Sequence, residues 1–169
     1  MALTSVITEY DERWPGLFEQ EALRLRPVFG LACSSLHHVG STAVIGLPAK
    51  PEIDILAVVA ETTDLDDWED ILGTLGYQRG GDLMDGHHFF KRDVGGIRTH
   101  KLHICQIGHS QILRMLKIRD HLRKCPKDRD TYKALKLRLE QENQSGIAEY
   151  LNGKTPFLEK LFRKIEDGT

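Results

Sequence analysis

Glu52 and Asp54 stand at the head of a β-branched run, Ile53-Asp54-Ile55-Leu56-Ala57-Val58-Val59, with one apolar residue between them. Side chains alternate along an extended strand, so the two carboxylates share one face while Ile53 and Ile55 share the other. Two same-face carboxylates repel unless a cation lies between them. Magnesium suits such a place because it needs only one or two carboxylates and takes its other ligands from water and phosphate; manganese accepts the same oxygen donors. Upstream, Gly40-Ser41-Thr42 closes another short apolar run. Gly40 permits a close backbone approach, and the Ser41 and Thr42 amides could face a phosphate. Carboxylates for a metal and a turn for phosphate are the parts of a metal-nucleotide site. The plainer alternatives are a salt bridge from Asp54 to Lys50 or an arginine, and a Ser41-Thr42 pair that only caps a helical turn.

Val39-Gly40-Ser41 followed by Glu52-Ile53-Asp54-Ile55 resembles the Gly-Ser and paired-carboxylate signature of the nucleotidyltransferase superfamily. The longer string His38-Val39-Gly40-Ser41-Thr42, Gly46-Leu47 and Ala49-Lys50-Pro51 resembles its GrpB branch, the UPF0157-like proteins. Further matches are Tyr10-Asp11, Trp14-Pro15, Phe89-Phe90-Lys91, Arg98-Thr99-His100, Leu102-His103, Arg119-Asp120, Tyr132 with Leu135-Lys136, and Pro156-Phe157. The resemblance implies an α+β nucleotidyltransferase-like fold and a transferase that binds a nucleoside triphosphate with Mg2+ or Mn2+. Such an enzyme passes a nucleoside monophosphate to an acceptor the sequence does not name. Glu52 and Asp54 would hold the metal as catalytic ligands. Gly40, Ser41, Thr42, Lys50 and Arg98 would bind phosphate.

The superfamily site commonly adds a third carboxylate from a later strand. The matching strand here, His100–Ile107, holds none, and no Asp or Glu occurs between Asp93 and Asp120. His103 on that strand is the expected stand-in as base or ligand, since imidazole can take a proton near neutral pH. Two other readings stay open. A nucleotide- or RNA-binding module with the same fold would have lost turnover. A histidine-carboxylate metal hydrolase would use some of the eight histidines, all of which lie between residues 37 and 121.

The chain has 169 residues, 40% hydrophobic and 28% charged, which is ordinary for one soluble globular domain, 1–169. No apolar run is long enough for a membrane span, and Met1–Tyr10 has no signal-peptide pattern, so the expected location is the cytoplasm, without membrane contact. Cys33, Cys105 and Cys125 are widely spaced and are read as packed thiols. Residues 51–78 carry eight acidic and no basic residues, whereas 111–138 carry ten basic against three acidic. Most of these charges belong on solvated helix faces; a basic region near a metal centre would also draw triphosphate, and nucleic acid more weakly.

The elements that must position these groups follow from periodicity. A helix is expected from about Arg13, after a cap by Asp11, ending or kinking near Pro27. Strands flank the Gly-Ser loop, and an acidic helix is expected over Asp64–Leu75. Tyr77, His88–Lys91 and Thr99–Ile107 read as extended, the last with Lys101, His103 and Cys105 on one face. Beyond Gly108 all is helical: one helix capped by Ser110, a second by Asp130, and a remainder divided at Gly146, Gly153 and Thr155-Pro156. The architecture is a central mixed β-sheet with flanking helices and a helical C-terminal half packed on it.

Overall fold

The computed structural model describes residues 5–81 and 84–168. Five strands form one mixed sheet: β1 (Cys33–Val39), β2 (Ile53–Val59), β3 (Tyr77–Arg79), β4 (His87–Val94) and β5 (Ile97–Gln106), in the spatial order β1-β2-β5-β4-β3. Only the β2–β5 pair is parallel; its neighbours pair antiparallel. This is the α+β architecture expected from the sequence.

Alternation within β2 sets the layers. Ile53, Ile55, Ala57 and Val59 join Leu102, Ile104 and Phe90 in a core roofed by α1 (Trp14–Phe29), through Trp14, Phe18, Ala22, Leu25 and Phe29. Leu56 and Val58 face the other way, onto Val39, Cys105 and the Ile112, Met115 and Leu116 face of α3 (Ser110–Lys124). A slip of one residue would drive Asp54 into the first core, so β2 has one tenable register. A third cluster joins Val44 and Leu47, in the loop after β1, to Leu122, Tyr132 and Leu161 of the C-terminal helices. That cluster fastens the loop carrying Gly40 and Ser41 to the helical half.

Several boundaries differ from the sequence expectation. Asp11 does receive the Arg13 amide at 2.9 Å, but α1 continues past Pro27 to Phe29 and stops where Gly30 takes a positive φ. The acidic segment is a 3-10 turn over Leu65–Trp68, capped by Asp64, followed by the short helix α2 (Glu69–Thr74). Within it Ile71 is exposed, while Leu72 is buried. His109 rather than Ser110 caps α3, its ring accepting the Gln111 amide at 3.2 Å. The next helix, α4 (Pro126–Glu142), starts at Pro126 rather than after Asp130, because proline at a first turn forfeits no hydrogen bond. The last helix, α5 (Ile147–Asp167), runs unbroken through Gly153 and Pro156. Gly153 is there for space: a Cβ would lie 2.4 Å from Leu139 Cδ2 of α4. No helix among the described residues is long and apolar enough to cross a membrane.

Candidate functional site

The β1 strand ends at Val39, opposite Asp54 of β2, and the chain then turns at Gly40 into a 3-10 turn over Ser41–Ala43. Gly40 has φ 73°, and a Cβ there would sit 2.4 Å from Asp54 Oδ2 and 2.9 Å from its Cγ. Only glycine leaves room for the carboxylate to lie over the turn. Arg119 and Arg123 of α3 are staples: Arg119 Nη1 donates to His38 O at 3.1 Å and Arg123 Nε to Ala43 O at 2.8 Å. The turn is therefore tied to α3 at both ends.

Thr42 is buried, and its hydroxyl is engaged within the fold. It donates to Glu52 O at 3.2 Å and receives His38 Nε2 at 2.9 Å, which places the His38 proton on Nε2. His38 stacks on Phe18, and burial pushes its pKa down to about 4, so this neutral tautomer persists. Ser41 is hydrogen-bonded with Tyr132 of α4, whose phenol burial pushes up to about 12.

Glu52 and Asp54 open on one cavity of about 50 Å³, lined also by Ser41, Thr42, Lys50, Lys101, Lys136, Tyr150 and Lys154. Lys101 is the decisive neighbour. The parallel register sets it beside Asp54, in the strand from which a third carboxylate was expected. Its Nζ lies 2.6 Å from Glu52 Oε2 and 4.0 Å from Asp54 Oδ1, while Ser5 donates to Glu52 Oε1 at 3.1 Å. Burial works against the Lys101 charge, but Asp54 and Glu52 outweigh it and hold its pKa above the ordinary lysine value. Burial likewise raises Asp54, only partly offset by Lys101.

Three more lysines close the cavity. Lys136 of α4 is buried and donates to Pro48 O at 2.5 Å; burial and the Lys154 charge push it down to about 7 against the pull of Asp54 and Glu140. Lys154 of α5 is lowered to about 8, first by burial and then by Lys101. Lys50 and Lys154 both lie over the Tyr150 ring, with Nζ 4.4 and 4.6 Å from its centroid. Four ammonium groups thus face two carboxylates, with Glu140 just outside the lining. The surplus of positive charge suits a polyanion, and binding one would restore full charge to Lys136 and Lys154.

Glu52, Asp54, Ser41, Thr42 and Lys50 meet at this cavity, with Gly40 beneath Asp54. Two other residues singled out in the sequence lie outside its lining. Arg98 pairs with Asp93 across the β4–β5 hairpin. His103 shares the face of Lys101 and Asp54 but is opposite Leu56, one strand repeat further on. It pairs with His87 at 2.9 Å, and burial pushes it down to about 3. Lys101, Tyr150 and Lys154 were not anticipated. Alternation put Lys101 on the right face, but nothing local announces which strand pairs with β2. Lys136 and Tyr132 were visible only as family matches, and the break expected at Gly153 separated Tyr150 from Lys154, which α5 carries four residues apart on one face.

The family model for GrpB protein matches residues 4–164. This chain belongs to the GrpB family. A UPF0157 protein of Halalkalibacterium halodurans is 38% identical over 161 residues, covering 94% of this chain and 80% of that protein. The UPF0157 protein YqkA of Bacillus subtilis is 33% identical over 150 residues but extends well beyond the match, which covers 43% of it. GrpB from Enterococcus faecalis, solved by crystallography, superposes with a TM-score of 0.87 at 34% identity, over 95% of this chain and 96% of its own. The poly(U) polymerase Cid1, crystallised with MgATP, gives a TM-score of 0.57 at 12% identity, over 87% of this chain and 50% of its own. GLD-2, in complex with RNP-8, gives 0.51 at 13% identity, over 82% and 46%. At such identities the likeness is one of fold: this GrpB-family chain has the nucleotidyltransferase fold.

Proposed function

We propose that this chain binds a nucleoside triphosphate with one divalent cation and transfers the nucleoside monophosphate to a hydroxyl, amine or phosphate acceptor. The observation that carries this reading is the Asp54 carboxylate packed over the Gly40 turn inside a lysine-lined cavity. Glu52 and Asp54 fit a divalent cation: both line one cavity, and the missing side chain at Gly40 leaves room for the Asp54 carboxylate over the turn. Lys101 is the present counter-ion of Glu52, in the place such a cation would take. Magnesium or manganese there would offset charge on the reacting phosphates.

The protein's own groups supply the rest. Ser41 and the turn amides bind phosphate oxygens, and Lys50, Lys136 and Lys154 hold the triphosphate in a site with little competing water. In the reaction the acceptor atom bonds to the α-phosphorus, the α–β bridging P–O bond breaks, pyrophosphate leaves and the acceptor proton is released. Catalysis of this kind is positioning plus electrostatics, and rigid staples such as those from Arg119 and Arg123 to the turn serve it.

A second reading has its own support. Lys101 beside Asp54, where catalytic relatives of this fold were expected to place a carboxylate, favours a nucleotide-binding module without turnover. Calorimetric titration with ATP, CTP, GTP and UTP, with and without Mg2+, followed by a pyrophosphate-release assay with acceptor pools, separates the two. Binding with release supports transfer, and binding without release supports the module. No binding in any combination overturns both.

A further inference from the structure

Four residues along β5 from Lys101, about 13 Å at ordinary strand rise, lies a second group of side chains. His87 of β4 and Cys105 of β5 are directly opposed across the antiparallel ladder, and both are fully buried. His109, at the start of α3, packs its ring at 68° to that of His87, with centroids 5.4 Å apart. One donor atom from each of the three, two imidazole nitrogens and a thiol sulfur, falls within 4.8 Å of the others. His87 is 1% exposed, and its Nδ1 has no hydrogen-bond partner among the described residues. Its other nitrogen, Nε2, is held at 2.9 Å by His103 Nδ1. A buried nitrogen left bare while its ring is fixed from behind is how a metal-ligating histidine looks without its ion.

We propose that His87, Cys105 and His109 bind one zinc ion that pins β4, β5 and the first turn of α3 together. One thiolate and two imidazoles suit zinc, and a site of three protein ligands leaves a fourth position for water. His87 would ligate through Nδ1, with its Nε2 proton donated to His103, so His103 acts as the outer partner that orients His87. Burial pushes the Cys105 thiol up to about 12, so it is a thiol without an ion, and binding releases its proton. His109 must exchange one contact. Its Nδ1 now accepts the Gln111 amide at 3.2 Å, and ligation through either nitrogen gives up that acceptor role.

The other thiol-imidazole group does not share these features. Asp128 Oδ2 already receives His121 at 2.6 Å, Lys164 at 2.7 Å and the Cys125 thiol, so an internal ammonium satisfies it.

The test needs no nucleotide and is independent of the proposed transferase activity. Tag-free protein grown with zinc and dialysed under reducing conditions should retain one zinc per chain. The cobalt-exchanged form should show thiolate-to-cobalt charge transfer. Cys105→Ser should lose that band, Cys125→Ser should keep it, and His109→Ala, at the less buried edge, should weaken metal retention at least tenfold. If Cys105→Ser fails to fold, His109→Ala decides by the same measurement. Wild type without stoichiometric metal or a cobalt–thiolate band overturns the site, as does a band that survives loss of Cys105 or a His109→Ala protein that retains metal like wild type.

Discussion

Replacing Lys101 with methionine removes the cation that pairs with Glu52 and neighbours Asp54 while keeping most of its volume. Removing one partner of a buried ion pair costs about 3–5 kcal/mol. Lys101 and Asp54 side chains remain 25% and 20% exposed, so solvent screening puts the loss at the lower end, about 3 kcal/mol. With a urea slope of about 1–3 kcal/mol/M, the unfolding midpoint should fall by about 1–3 M at pH 7. The pH dependence identifies the cause. Without Lys101 the folded-state pKa of Asp54, already raised by burial, rises further above its unfolded value, so the deficit is largest near neutrality and shrinks as pH falls towards 4. Lys101 itself is raised in the folded wild type, so its own contribution is complete below the unfolded lysine value of 10.5 and is lost only above it. Millimolar Mg2+ should then stabilise Lys101→Met more than wild type, by about 1.4 kcal/mol for each tenfold of free ion above its dissociation constant. A variant within about 0.5 kcal/mol of wild type, or one that responds to Mg2+ no more than wild type does, would refute the view that Lys101 stands in a cation's place.

Gly40→Ala should cost about 1–3 kcal/mol from its positive φ with extended ψ and more from the clash with Asp54. In an Asp54→Ala background the part owed to Oδ2 and Cγ should disappear, leaving only the 3.0 Å contact with Cβ, and costs that instead add to within about 0.5 kcal/mol in urea unfolding would contradict the packing described. Triphosphate affinity should fall as pH rises from 6.5 to 9, because Lys136 near 7 and Lys154 near 8 must be protonated to hold the anion, against Asp54, Glu52 and Glu140 nearby. Proton uptake on binding, read by calorimetry in two buffers of different ionisation enthalpy, is the check; a pH-independent affinity would remove both lysines from the phosphate site.

The features legible in the sequence were those set by local rules. Alternation placed Asp54 apart from Ile53 and Ile55, and divided Lys101, His103 and Cys105 from His100, Leu102 and Ile104. Glycine and apolar spacing located most strands and helices. What failed was whatever depends on a partner distant in sequence. Pro156 and Gly153 look like helix ends, yet α5 passes through both, and Gly153 is glycine because Leu139 of α4 leaves no room for a Cβ. Arg119 and Arg123 lie in a basic stretch with no local sign of a partner, yet both donate to backbone carbonyls at the ends of the turn after β1. The lysines of the cavity come from a loop, a strand and two helices, and only the β2–β5 pairing and the docking of α4 and α5 bring them to Asp54.

The central claim is that Asp54, over the Gly40 turn, anchors a metal-dependent nucleotide site. A thermal-shift panel of ATP, CTP, GTP and UTP, each with and without Mg2+ or Mn2+, on wild type beside Asp54→Asn tests it most directly. The account predicts a metal-dependent rise in melting temperature with at least one nucleotide in wild type and none in the variant, which should remain folded. Equal shifts in both proteins, or no shift in wild type under any condition, would contradict it.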